Sequence, residues 1–221
     1  MSVAEILDDL KALHTAGVAH QGIRKHDPTQ QIGVKLGDVR KVAKAHRGAT
    51  TLIQPLWDTQ ILEARLVAVL WMKPNRVSVD QVDTWVRSLR SIQVCDWLHA
   101  YVVKKHPMAQ ALLERWNDTE HVMAARSWWA LVAHGVEKNP EGFDVDALLA
   151  RIDHELADAE PMVQWTMNMA LAMIGIHHPR VRERALAIGE RVGVYRDYPT
   201  SKGCTSPFAP AWIAAMVARQ D

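Results

Sequence analysis

Two charged side chains stand where charge is costly. Asp96 lies in Ile92-Gln93-Val94-Cys95-Asp96-Trp97-Leu98, an apolar stretch with no basic neighbour in sequence. Arg126 lies in Met123-Ala124-Ala125-Arg126-Ser127-Trp128-Trp129 and poses the same problem with opposite sign. An ionised group in such surroundings must be paired or must line a cavity. Two arrangements satisfy both residues. They pair with each other between adjacent helical repeats, or both open onto a ligand cleft.

A second pattern is cationic. Arg40, Lys41, Lys44 and Arg47 recur at i, i+1, i+4 and i+7, one side of a helix, with Lys35 just upstream; the segment from Lys35 to Arg47 carries +4. Such a line of cations is either a solvated helix face or a track for a phosphate backbone. The stretch from Arg180 to Lys202 carries +3, and that from Glu137 to Glu160 carries −6. The overall net charge of +1 therefore conceals separate basic and acidic segments.

Tryptophan is over-represented, with 9 residues against 2 Phe and 3 Tyr. Trp57, Trp71 and Trp85 fall in apolar helical stripes and read as core. Trp97, Trp128, Trp129 and Trp165 each lie within about a turn of a polar residue. Each is a core residue with one N–H to satisfy, or an exposed ring that stacks on a base or sugar. Trp97 and Trp129 join the cations as candidate nucleic-acid contacts. Asn168, Tyr198 and Lys202 form a small polar cluster if the C-terminus folds back on the Val163 helix; otherwise that tail is a structural lid. Histidine and cysteine offer no metal site: His177 and His178 are adjacent, and Cys95 and Cys204 lie far apart outside any CxxC pair. No phosphate-binding glycine loop or nucleophile elbow occurs, so no cofactor is expected.

These residues sit on helices. Val3 to Leu13 places Val3, Ile6, Leu7, Leu10 and Leu13 on one stripe. Asp38 is the expected N-cap of a helix from Val39 to His46, with Gly48 past its end. Ile61 to Met72 is strongly apolar and stops at Lys73-Pro74. Ser78 caps a helix through Leu89. Further helices are expected over Gln93–Lys105, Met108–Trp116, Glu120–Val136, Asp144–Leu156, Pro161–Ile174 and Pro179–Val192, and a last one over Pro210–Ala218. Alternating strand patterns and Asn-Gly or Asp-Gly hairpin turns are missing. The chain reads as all-α, with helix pairs recurring at roughly 40 residues as in a HEAT-like solenoid. A globular helical bundle is the alternative on this evidence.

The 221 residues are 48% hydrophobic and 23% charged, which excludes a disordered chain. One domain over residues 1–221 is expected, with 195–221 as a C-terminal loop and short closing helix. No apolar run of membrane-spanning length occurs, and the first residues lack the order of a secretory signal, so a cytoplasmic setting is expected.

An ordered series of motifs resembles a known family. Gly33-Val34-Lys35-Leu36-Gly37-Asp38-Val39-Arg40-Lys41-Val42-Ala43-Lys44 looks like the N-terminal segment of the DNA alkylation repair, AlkD-like, proteins. Leu56-Trp57, then Glu63-Ala64-Arg65 and the apolar Leu66 to Met72, resembles their next helix pair. Asp96, Arg126 and the Val163 to Leu171 helix follow in the family's order. The tail from Tyr195 to Pro207 resembles that of one branch of these proteins. The resemblance implies HEAT-like repeats wrapped around duplex DNA, with a basic concave face. It implies excision of cationic N3- and N7-alkylated purines, an aspartate stabilising charge on the sugar, an arginine holding the backbone and aromatic rings on the deoxyribose. Asp96 matches the aspartate and Arg126 the arginine. Ile92 and Met169 stand where the family has aromatics, and Trp165, one turn before Met169, reaches the same groove.

Three functions are therefore carried forward. One is a glycosylase with Asp96, Arg126 and Trp165 in its site. Another is a non-catalytic binder of damaged or branched DNA. The third is a helical scaffold for a protein partner. A monomer acting on duplex DNA, alkylated or branched, is the expected assembly.

Overall fold

The computed structural model describes residues 1–18 and 30–220. The chain divides into two compact units, Met1–Ala111 and Leu112–Asp221. The first holds α1 (Val3–Ala12), α2 (Leu36–Ala45), α3 (Ile53–Asp58), α4 (Leu62–Trp71), α5 (Val79–Arg87) and α6 (Ile92–Tyr101). After α7 (Ala109–Trp116), which crosses the division, come α8 (Val122–Lys138), α9 (Val145–Glu155), α10 (Pro161–His177), α11 (Arg182–Val192) and α12 (Ala209–Val217). Among the described residues there is no strand, only isolated bridges between His14 and Val34 and between Gln30 and Ile61.

Local chemistry sets the helix ends. Ser78 accepts a hydrogen bond from the Gln81 N–H at 3.1 Å, and Asp144 accepts one from the Ala147 N–H at 3.0 Å. Pro161 opens α10 in the first turn, where a missing N–H costs nothing. Two expectations need correction. α2 begins at Leu36 with Lys35 as N-cap: the Lys35 carbonyl already accepts from the N–H groups of Asp38 and Val39. Asp38 is instead a first-turn acid beside the positive helix end, paired to Lys41 at 2.7 Å. The helix expected over Gln93–Lys105 ends at Tyr101. The buried, β-branched Val102 and Val103 turn the chain into a 3₁₀ segment. The short α3, which contains Pro55, carries Leu56 and Trp57; no helix bounds were expected there.

α4 is the axis of the first unit and packs against α1, α2, α3 and α6. All of its residues but Leu70 are buried, including Glu63 and Arg65. Glu63 is fully buried, and its carboxylate accepts from the backbone N–H groups of Ile32 (2.8 Å), Gly33 (2.8 Å) and Val34 (3.2 Å). Gly33 holds φ +87°, a conformation that disfavours any side chain, and a Cβ there would meet His14 Nδ1 at 3.1 Å. The carboxylate thus fixes the three residues that lead into Lys35 and α2. Arg65, two residues on, donates to the Trp57 carbonyl at 2.9 Å and covers the Trp57 ring, which ties α3 to α4.

The tryptophans tether helices. Trp71 on α4 donates its indole N–H to the Ala43 carbonyl of α2 at 2.8 Å. Trp57 on α3 donates to Ser88, just past α5, at 3.0 Å, and Trp85 on α5 returns a bond to Gln54 on α3 at 3.1 Å. Trp128 on α8 donates to the Leu113 carbonyl of α7 at 3.0 Å. Each indole fills core volume and also satisfies a polar atom of a neighbouring element.

In the second unit α10 packs against α8, α9, α11 and α12. The closing helix is α12, one residue offset from the expected Pro210–Ala218. It docks where α11 carries no side chain: a Cβ on Gly189 would stand 2.7 Å from two atoms of the Pro210 ring.

Two stability outcomes follow. Gly189→Ala is expected to cost about 1–3 kcal/mol by overpacking a rigid ring, against the roughly 1 kcal/mol that alanine gains over glycine in an open helix; urea unfolding measures the sign. Glu63→Gln, which sets an amide NH₂ among three N–H donors, is expected to lower stability by about 1.5–3 kcal/mol, and a shift in the urea midpoint with constant slope reads it.

Candidate nucleic-acid interface

The two basic segments have different fates. In the second unit the cations of the +3 segment fold onto the acidic segment. Arg180 reaches Asp146 at 2.6 Å and Arg184 reaches the same carboxylate at 3.3 Å. These guanidinium groups, Arg180 foremost, hold Asp146 below the ordinary carboxylate range. Arg191 pairs with Asp153. Arg196 is drawn to Glu190 at 2.8 Å and covers the Phe208 ring, and Arg182 donates to the carbonyls of Gly175 and Ile176. Little of that charge is left to meet a phosphate.

The α2 segment is different. Lys35, Arg40, Lys41, Lys44 and Arg47 are all exposed. Arg40, Lys44 and Arg47 line a cavity of about 710 Å³ together with Thr50, Trp71, Met72 and Lys73. No acidic side chain is among its lining residues. Among the described residues no carboxylate pairs with Lys44, Arg47 or Lys73. Lys41 is turned to Asp38, and Lys35 stands at the N-cap; neither lines the cavity. Lys73 was not among the sequence-based candidates. Lys73-Pro74 read only as a helix stop, and only the packing of α4 on α2 brings its side chain to the groove.

A second cavity, about 400 Å³, lies in the other unit and has the opposite character. Glu120, Glu155, Asp158 and Glu160 are among its lining residues, with Arg151 and Trp129. Carboxylates outnumber cations there, which disfavours a phosphate backbone.

The remaining candidates are placed as follows. Asp96 is exposed on α6, so its carboxylate is not sealed under apolar cover. Trp97 beside it is 7% exposed and lies under the Arg40 guanidinium, 4.3 Å from the ring centre. Ile92 is half-buried. Arg126 is 3% exposed, and its Nη1 donates to the Met162 carbonyl at 2.7 Å, which ties α8 to the start of α10. Trp129 is 1% exposed and packs edge-on against Trp128, with Arg151 over both rings; it is a packing group without a face for a base.

The expected Asn168–Tyr198–Lys202 polar cluster does not form. No hydrogen bond among the described residues joins the three. Asn168 is buried and donates to the Pro207 carbonyl at 2.8 Å, which does fold the tail back on α10. Tyr198 turns to Trp165 instead, and with Tyr195 they form an aromatic trio with ring centres 5.1 to 5.9 Å apart. Tyr198 is exposed, Trp165 and Met169 are half-buried, and Lys202 is exposed.

No group of three or more potential metal ligands occurs among the described residues. No described helix is long and apolar enough to cross a membrane.

Comparison with known proteins agrees with the helical architecture. One solved structure aligns over 100% of this chain and 95% of its own, with a TM-score of 0.78 at 18% identity. It is described as belonging to "a new family of proteins related to the HEAT-like repeat DNA glycosylases with affinity for branched DNA structures". No curated protein matches the sequence. The family model described as "DNA alkylation repair enzyme" matches residues 6–213. With that match spanning nearly its whole length, the chain belongs to the DNA alkylation repair enzyme family and carries a HEAT-like helical-repeat fold.

Proposed function

We propose that the protein binds DNA, with the backbone of one strand running along the groove of Arg40, Lys44, Arg47 and Lys73. The observation that carries this reading is the contrast in charge pairing. Arg40, Lys44, Arg47 and Lys73 face an acid-free cavity, while Arg180, Arg184, Arg191 and Arg196 are held by Asp146, Asp153 and Glu190. Arg40 and Lys44, one turn apart on α2, with Arg47 just past its C-cap, suit phosphates, which bear one charge per strand about every 3.4 Å along the duplex axis. Membership of a repair family, and the affinity for branched DNA described for the structural neighbour, make damaged or branched duplexes the substrates to test first.

The joint substitution Arg40→Gln, Lys44→Gln, Arg47→Gln is expected to reduce the slope of log affinity against log salt by about 2–3, near 0.9 for each lost phosphate contact. Fluorescence anisotropy on a nicked, a branched and an intact duplex measures it. An unchanged slope would exclude this groove as the contact.

A second reading rests on the exposure of Asp96. An accessible carboxylate on α6 can stabilise the sugar cation as a positively charged N3- or N7-alkylated purine departs, and water then attacks the anomeric carbon. The purine leaves neutral, so no general acid is needed at the leaving group. Side chains around the reading differ from the resemblance: Ile92 and Met169 replace aromatics, while Trp165 keeps a half-buried ring. Incubation with methylated duplex separates the two readings. Release of alkylpurine by the wild type, lost in Asp96→Asn with DNA affinity retained, is the result expected of a glycosylase. Binding without release leaves the non-catalytic reading alone.

A further inference from the structure

Arg40 belongs to two arrangements at once. It lines the basic cavity, and its guanidinium carbon stands over the Trp97 ring. From Trp97 a second contact runs one helical turn along α6 to Tyr101, with ring centres 5.6 Å apart. Above Tyr101 stands the Lys105 ammonium, 5.6 Å from the ring centre. The order is cation, ring, ring, cation, and both cations are exposed. Trp97 and Tyr101 are four residues apart, so α6 itself presents the two rings on one face. Lys105 follows on the 3₁₀ turn that replaces the last turn of the expected helix.

We infer that this ladder is a second phosphate-binding track, continuous with the α2 groove through Arg40, in which Trp97 and Tyr101 are positioning residues and Lys105 is a direct backbone contact. The inference rests on the DNA-binding reading above. A guanidinium over an indole is attracted by the ring's negative face, which restrains its position, and it keeps N–H donors for an anion. The Arg40 Nη1 contact to the Leu36 carbonyl, 3.3 Å, fixes the other end of the fork. Rotamer entropy that a free arginine loses on meeting a phosphate is already spent here. Lys105, on a half-buried tyrosine, gains the same restraint more weakly. Neither ring reaches the DNA. Trp97 is too deeply buried to stack on a base, so its contribution passes through Arg40.

Charge and positioning separate in the salt dependence. Lys105→Gln removes one cation and is expected to lower the slope of log affinity against log salt by about 0.9. Trp97→Leu removes the ring and no charge. It is expected to keep the slope, weaken binding about two- to fivefold, the worth of a cation–π contact at an exposed site, and lose that effect when Arg40 is already Gln. Leucine keeps apolar bulk in the core, and circular dichroism of each variant confirms the fold. Tyr101→Phe, which retains a ring under Lys105, is expected to bind as the wild type does. An unchanged slope in Lys105→Gln, or a Trp97→Leu effect of equal size with and without Arg40, overturns the ladder. Absence of salt-dependent binding by the wild type overturns the DNA-binding reading itself, a distinct outcome.

Discussion

The grip of one buried carboxylate on three backbone N–H groups organises the first unit. Glu63 takes the donors of Ile32, Gly33 and Val34, and the chain then turns directly into α2. An ionised side chain withdrawn from water is tolerable only when donors replace the lost hydration. The basic groove is built on this arrangement: α2 starts where Glu63 has fixed the preceding segment, Trp71 ties its last turn to α4, and Lys73 follows α4 on the same cavity. The cations are thereby presented by a frame whose own polar groups are satisfied internally.

Charge pairing, more than net charge, sets the field of the second unit. The acidic stretch from Glu137 to Glu160 carries −6 and the tail from Arg180 carries +3. They do not make two separate faces in the second unit. Asp146 and Asp153 take up arginines of the tail, so much of the opposing charge cancels at short range. The field that remains usable by a polyanion comes from the α2 segment and its neighbours.

Much of the fold was legible because helices write a 3.6-residue period into the chain. Ser78 and Asp144 announced their helices as caps, Pro161 announced the start of α10, and the short closing helix was visible at the tail. Errors arose where a local signal had two meanings. Asp38 has the side chain of an N-cap, yet Lys35 fills that position because Glu63, about thirty residues away in sequence, fixes the approach. Trp129 resembled a stacking residue, but α8 is buried on nearly every side. The cations of α2 were readable from spacing. Lys73 was not, because it joins them through the packing of two helices, and Lys105 was not, because its value lies in the ring beneath it. Tyr198 was legible as a polar candidate of the tail beside Asn168 and Lys202; its meeting with Tyr195 and Trp165 depends on how that tail folds.

The indole tethers have a consequence for how this chain tolerates substitution. Trp57, Trp71, Trp85 and Trp128 each give a neighbouring element both bulk and a donor. Phenylalanine could supply the bulk and glutamine the donor, but no single replacement supplies both. The exposed Lys44, Arg47 and Lys73 pair with no carboxylate among the described residues and carry no such tether. The architecture therefore separates a slowly variable skeleton, locked by four ring nitrogens, from a rapidly variable surface. A protein so divided can be retuned toward a new nucleic-acid shape by changing charges alone, with its helices left in register.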